Sequence, residues 1–367
     1  MPVKTFDFER PIPELPWRRI GLVAALIVAV ATIGWEIYAR SIGYGPTLND
    51  TTDLWAQQRE AVKPDSIVII GDSRALFDLD LDVLQQGLGQ RPIQLALAGS
   101  CAYPILAELA ADERFKGTVI CGIVPGMFFA PAGPLLETSE KALKRYRTWT
   151  PAQRASHQLG MLLEERVAFL KSEELDLPAL LGRLPIPNRQ GAHVPPIFPP
   201  YFQTVDRDRR TRMFDECARP GPLQTRVAEG WLPLFTPPPP PTYIPRESFF
   251  EGMGKKIEAR FVDTAAAVEK IRARGGKVVF VRFPFTNKLK EFEDRTQPRT
   301  RAWTRLLNDT KAPGIYYEDY PELAGFECPE WSHLSAPDSV EFTKRLVPHL
   351  RTALGELEGL GRSRESK

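Results

Sequence analysis

Ile67-Val68-Ile69-Ile70-Gly71-Asp72-Ser73-Arg74 is the stretch that decides the fold: four β-favouring apolar residues run straight into a glycine turn that carries a hydroxyl. An unbroken apolar run of this kind suits a central strand of a parallel sheet, buried on both faces, and Gly71 marks its end. Ser73 then stands at the carboxyl end of the strand, the edge at which open α/β sheets bind ligands.

On either side of this strand (66–70) the pattern alternates. A helix over 53–61, capped by Asp53, precedes it. A helix over 81–86, a second strand over 93–97 ending in Ala98-Gly99-Ser100, a helix over 103–112 and a third strand over 118–124 ending in Pro125-Gly126 follow. After a long interruption comes an amphipathic helix with Ile257, Phe261, Val268 and Ile271 on one side, ended by Gly275-Gly276. Then come a strand over 277–282, a helix over 298–308, a short strand over 315–318 and a final helix over 336–354, with Ser335 as its N-cap and Asp338 three residues on. Strands and helices alternating at this length specify an α/β fold: a flavodoxin-like, doubly wound, five-stranded parallel sheet.

The interruption, 127–250, contains helical stretches (139–147 and 151–171) and a proline-dense region that includes Pro237 to Pro241. Such a run favours polyproline II and excludes a central strand. We read this segment as an insertion, either an ordered lid or protein-partner surface or in part disordered. Its basic cluster, Arg207, Arg209, Arg210 and Arg212, alternates with Asp206 and Asp208 and reads as a solvated face.

Residues 20–39 are apolar, with Glu36 at the interface, and approach the length of about 20 residues that a bilayer requires. Arg18 and Arg19 at the start put the remainder on the far side of the membrane, and Trp17, Trp35 and Tyr38 suit its aromatic belts. The alternative is a cleaved signal peptide with its site at Ala29-Val30-Ala31, but apolarity continues beyond it. Gly21 argues against a twin-arginine signal. The expected order is a cytoplasmic 1–19, an anchor 20–39, a tether and first helix 40–65, a sheet domain in two parts (66–126 and 251–356) around the insertion, and a disordered tail 357–367. The expected location is a bacterial inner membrane, single-pass, with the folded part in the periplasm.

The chain of 367 residues is 43% hydrophobic and 26% charged, enough for a sizeable core, and its 48 Lys+Arg against 46 Asp+Glu leave only +2, which implies no nucleic-acid partner. None of the four cysteines (Cys101, Cys121, Cys217, Cys328) has zinc or C-x-x-C spacing, so neither a structural metal nor a cofactor is expected. Cys101 and Cys328 either approach across the site edge or are buried free thiols.

Just before the last helix stands Glu330-Trp331-Ser332-His333-Leu334. A hydroxyl, an imidazole to take its proton and a carboxylate to orient the imidazole make an acyl-transfer triad, and Ser73, His333 and Glu330 supply all three. The last loop and the first strand end on the same sheet edge in this topology. His157 and His193 fall in the insertion and His349 late in the final helix, so His333 is the best-placed base. Glu327 and Asp319 are alternatives to Glu330. The blander readings are a serine in a strand-to-helix turn, a loop histidine, and a turn glycine at Gly99. Asp72 reads as a brace for the turn, and Arg74 as a contact for an anionic substrate or a solvated arginine.

Gly71-Asp72-Ser73 after a first strand, Gly99 after a second, and a carboxylate-x-x-His before the last helix resemble the SGNH/GDSL hydrolase superfamily over 66–124 and 257–354. The anchor and insertion are similar to those of envelope SGNH-like proteins that move acyl groups on or off exported polysaccharides. The resemblance implies Ser73 as nucleophile, the backbone N–H groups of Ser73 and Gly99 in the oxyanion hole, and His333 with Glu330 as base and acid. It implies an envelope glycan or another acyl ester as substrate. The chain departs from the family where the third strand ends: Val124-Pro125-Gly126-Met127 has no asparagine for the oxyanion hole, leaving Ser100 or a backbone N–H as substitute. One oxyanion donor is worth about a hundredfold or more in turnover. Without it, a non-catalytic envelope protein that binds a glycan or protein partner is the alternative.

Overall fold

The computed structural model describes residues 15–175, 177–182, 201–236 and 239–365. Strands β1 (Ile67–Ile70), β2 (Ile93–Gln94), β3 (Thr118–Gly122), β6 (Lys277–Arg282) and β7 (Gly314–Tyr316) form one five-stranded sheet in the order β2-β1-β3-β6-β7, every pair parallel. The remaining strands, β4 (Gln203–Val205) and β5 (Thr211–Met213), make a separate antiparallel hairpin. The chain reverses direction across the sheet between β1 and β3, the switch point at which such sheets place ligands. Helices layer the sheet in two groups: Leu81–Leu88 packs with the C-terminal helix, and Tyr103–Ala111 with Arg246–Ala273. The strands are apolar on both faces because both faces are covered: every residue of β1 is buried.

Two glycines let the element after β1 approach the sheet. Gly71 has φ +153, and a Cβ there would meet the Ala75 Cβ at 2.5 Å. A Cβ at Gly122 of β3 would meet the same Ala75 Cβ at 2.7 Å. The short helix Ser73–Phe77 therefore sits directly on the strands.

Several expectations are corrected. The second strand stops at Gln94, although Leu95 N and Leu97 N still donate to Ile69 O and Gly71 O (2.8 and 3.0 Å). The Gln94 side chain takes the Ala96 N–H (3.0 Å), ending the regular ladder on this edge strand. Thr51, not Asp53, caps the first domain helix by accepting from Leu54 N (3.3 Å). A helix over Asn287–Thr296 was not anticipated. The final helix runs Ala336–Glu365, past 354 and through most of the expected tail, because no proline follows Pro348 to stop it. Residues 183–200 and 237–238, where much of the proline-dense stretch falls, lie outside the described residues.

The arginine cluster is a solvated face only at Arg207, which is exposed. Arg209, at φ 63 in the hairpin turn, is buried and forms two bonds to Asp50 (2.6 and 2.7 Å), while Arg210 bonds Asp80 and Arg91 bonds Asp208. The turn aims these side chains at carboxylates from distant parts of the chain. Phe202, Met213, Cys217 and Val227 of the insertion join the main core. All four cysteines are buried free thiols.

The N-terminal helix, Trp17–Ser41, has 25 residues and is long and apolar enough to cross a membrane. Its apolar stretch is nowhere buried among the described residues.

Candidate active site

Asp72 and Ser73 begin the helix that leaves β1. Asp72 is its N-cap, accepting from Arg74 N (2.9 Å), which makes it the brace expected from the sequence. Burial raises the Asp72 carboxyl above its usual range despite the nearby Arg74 guanidinium. Ser73 is partly exposed, and its hydroxyl makes no hydrogen bond among the described residues. Its N–H is one of the donors that a helix start leaves without an intrahelical partner. Across the β1–β2 edge Leu97 N donates to Gly71 O (3.0 Å), so the segment leading to Gly99 leaves the same carboxyl end of the sheet as the turn before Ser73. Gly99 has φ +59 and open space beside it, and its N–H has no partner among the described residues.

The histidine loop is held tightly. Glu330 is fully buried, and its Oε1 accepts from His333 N (2.5 Å), Ser332 N (3.2 Å) and His333 Nδ1 (3.0 Å). Its Oε2 accepts from Trp231 Nε1 (2.6 Å). With Nδ1 donating to the carboxylate, the neutral imidazole carries its lone pair on Nε2, the tautomer a general base requires. That Nε2 is buried and has no hydrogen-bond partner among the described residues. The ring is 1% exposed and lies among Phe77, Phe202 and Trp231, with centroid distances of 4.5, 5.7 and 5.8 Å. Trp331, between acid and base, has φ 80, a strained conformation for a residue with a side chain. Thr286 N donates to Trp331 O, and Trp331 N to Cys328 O, both at 2.9 Å, which fixes it.

The loop packs along the helix Ser73–Phe77. Arg74 Nε donates to Ser332 Oγ (3.3 Å), the His333 ring lies tilted against Phe77, and Leu334 N donates to Asp78 Oδ1 (2.9 Å). Ser73 and Phe77 are four residues apart on the helix and share a face, so His333 packs on the face that bears Ser73. Ser73 Oγ and His333 Nε2 are not hydrogen-bonded in this conformation. Catalytic bonds of this type are often loose before substrate arrives.

Arg74 is neither a solvated arginine nor a substrate contact. It is buried, and with Arg282 it grips Glu293, both guanidiniums also lying over the Phe285 ring. Burial favours the neutral Glu293 acid, but the two guanidiniums outweigh it and bring the carboxyl down to about 2. Ser100 is likewise engaged: its hydroxyl is buried and donates to Leu97 O (2.9 Å), so it is not the substitute oxyanion donor. At the end of β3 the side-chain amide that does arrive is Gln297, whose Oε1 accepts from Gly126 N (2.7 Å). Two hollows are near: about 450 Å³ between Arg219, Gln224, Glu327 and Asp338 beside the histidine loop, and about 250 Å³ between Arg282, Gln297 and Tyr316 at the ends of β6 and β7. Ser73 lines neither.

Of the expected site residues, Glu330 and His333 are joined directly, and Asp72, Ser73 and Arg74 lie against their loop. Sequence reasoning missed Trp231, Phe77, Phe202 and Glu293. Trp231 is 99 residues from its carboxylate and has no local signal. Arg282, a charge closing a buried apolar strand, was the available hint of a buried counter-ion. The chain matches no protein-family model and no curated protein in sequence.

Proposed function

We propose that the protein is a membrane-anchored serine esterase or O-acyltransferase of the SGNH type, acting on ester-linked acyl groups of a cell-envelope glycan. The observation that carries this reading is the buried Glu330–His333 pair, its Nε2 without a partner among the described residues and its ring against Phe77, one helical turn from Ser73. Ser73 Oγ attacks the acyl carbonyl carbon as its proton passes to His333 Nε2, and Glu330 stabilises the imidazolium. The oxyanion is held by the N–H groups of Ser73 and Gly99. His333 then gives its proton to the departing sugar oxygen, leaving an acyl-Ser73 that water or another hydroxyl resolves. No cofactor or metal enters the scheme. The N-terminal helix spans a bacterial inner membrane, with Arg18 and Arg19 on the cytoplasmic side and the site in the periplasm.

A second reading, a non-catalytic SGNH-like protein that binds a glycan, or a protein partner through its insertion, is favoured by one observation. The asparagine-less end of β3 receives only the Gln297 carboxamide, which is spent on Gly126. A fluorophosphonate probe separates the two. Wild type labels and Ser73→Ala does not; a folded wild type that fails to label sinks the enzymatic reading.

A further inference from the structure

The helix Pro151–Glu164 buries Met161 against Leu48, Leu54 and Val205 but turns most of its other apolar residues outward. Around Met161 its contacts with the protein are polar: Arg154 pairs with Glu60, His157 Nε2 bonds Gln57, and Glu164 accepts from Asn49 N. Its outward side carries Ala152, Ala155, Leu159, Leu162, Leu163 and, just beyond the helix, Arg166, all exposed and spaced as one helical stripe. The leucines are 43% to 64% exposed, and Leu177 and Leu181 of the short helix Leu177–Gly182 add 67% and 50%. An outward stripe of leucines such as that at 159, 162 and 163 marks a contact surface.

What covers it follows from where the N-terminal helix ends. Glu36 accepts from Ala168 N (2.8 Å) and Phe169 N (3.1 Å), Arg40 donates to Arg166 O (3.5 Å), and Ala39 packs with Ala168 and Leu175. Glu36 lies five residues before Ser41, about 7 Å along the axis. The chain at 166–169 is thus fixed against the last turns of the helix that is long enough to span a bilayer, and the leucine stripe leads directly into it. Trp35 and Tyr38 stack at the same level, as aromatic residues do at a membrane interface.

We propose that the face formed by Leu159, Leu162 and Leu163 inserts into the headgroup boundary of the membrane that the N-terminal helix spans, with Arg166 on lipid phosphate. The folded part is then held against the bilayer at two points instead of swinging on a tether. An outward apolar stripe with arginine at its margin is the composition of an in-plane interfacial helix. This rests on the spanning role of Trp17–Ser41 and is independent of the chemistry at Ser73.

The test uses the full chain in nanodiscs of phosphatidylcholine and phosphatidylglycerol, with an environment-sensitive fluorophore at Leu159→Cys, Leu163→Cys, Val28→Cys or Glu269→Cys. The four native cysteines are buried, and unmodified protein measures any background labelling. Expected are blue-shifted emission and quenching by shallow doxyl lipids at 159 and 163, quenching by deep doxyl lipids at 28, and neither at 269. A quenched Val28→Cys with unquenched 159 and 163 overturns the proposal and leaves the anchor intact. An unquenched Val28→Cys overturns the anchor and the two-point attachment together. Self-quenching between labels at 163 without quenching by lipid assigns the face to a second copy and also overturns the proposal.

Discussion

On the Glu330–His333 side of the candidate site Glu330 receives four N–H donors on two oxygens and His333 is enclosed by three aromatic rings; on the Ser73 side Ser73 Oγ, Ser73 N–H and Gly99 N–H make no bonds among the described residues. A buried charge must be satisfied before substrate arrives, so the first side is complete in the free protein. Donors meant for a substrate oxygen stay free until that oxygen is present, so an open second side fits an acyl-transfer site. The largest expected effect breaks the completed side. All four partners of Glu330 are donors, so in Glu330→Gln the amide NH2 faces a donor whichever way it turns. The imidazole then loses its tautomer, and fluorophosphonate labelling should slow about 10⁴-fold with circular dichroism unchanged.

Next in size is the tie between the sides. Arg74, on the helix Ser73–Phe77, bonds both Ser332 of the histidine loop and Glu293, which Arg282 grips as well. Glu293→Gln leaves two buried guanidiniums uncompensated and should cost about 3–5 kcal/mol in urea unfolding. The sign of the pH effect follows from Glu293 titrating near 2 in the folded state, below its usual 4.5. Its contribution is complete above about pH 4.5 and is lost as pH falls toward 2, a loss on the order of 3 kcal/mol. Glu293→Gln should lack that part of the acid transition.

The Ser73 side depends on close backbone approach. Gly122→Val introduces a Cβ 2.7 Å from that of Ala75 and should lower stability by about 1–3 kcal/mol, with Ser73 displaced and labelling slower. Smaller again is Trp231→Phe, which keeps most of the aromatic enclosure and removes one charge-assisted bond to Glu330. A bond of that kind is worth about 1.5–3 kcal/mol, so labelling should fall about tenfold, and Trp231→His, which retains an N–H donor, should recover part of it.

The same contrast governs what the sequence could reveal. β1, β3 and β6 were legible because their apolar runs are local facts, and the Glu330–His333 pair because its members are three residues apart. The helix Asn287–Thr296 was not, since it turns Glu293 inward beside Leu289 and so lacks the apolar stripe that identifies a helix. Arg209 looked solvated because its counter-ion, Asp50, is 159 residues away. Charges that pair across the fold read as surface in a linear sequence, and here they clamp the insertion to the sheet and join the histidine loop to the helix Ser73–Phe77.

The finest test concerns the bond that seats His333. Asp78 is fully buried; Oδ1 accepts from Leu334 N, the residue after the base, and Oδ2 has no partner among the described residues. Burial raises this carboxyl well above the usual range, so the folded protein favours its neutral form. Below its ordinary titration near pH 3.8 both folded and unfolded states are protonated and no cost arises. As pH rises from there toward the folded value, the unfolded chain ionises first, and stability declines. Asp78→Asn keeps an acceptor for Leu334 and removes the ionisation. It should match wild type below the ordinary carboxylate range, become the more stable of the two as pH rises in urea unfolding, and leave the labelling rate unchanged. A labelling rate that falls with Asp78→Asn would mean that the carboxyl group does more for His333 than offer Leu334 N an acceptor, and that the two sides of the site are coupled through Asp78 as well as Arg74.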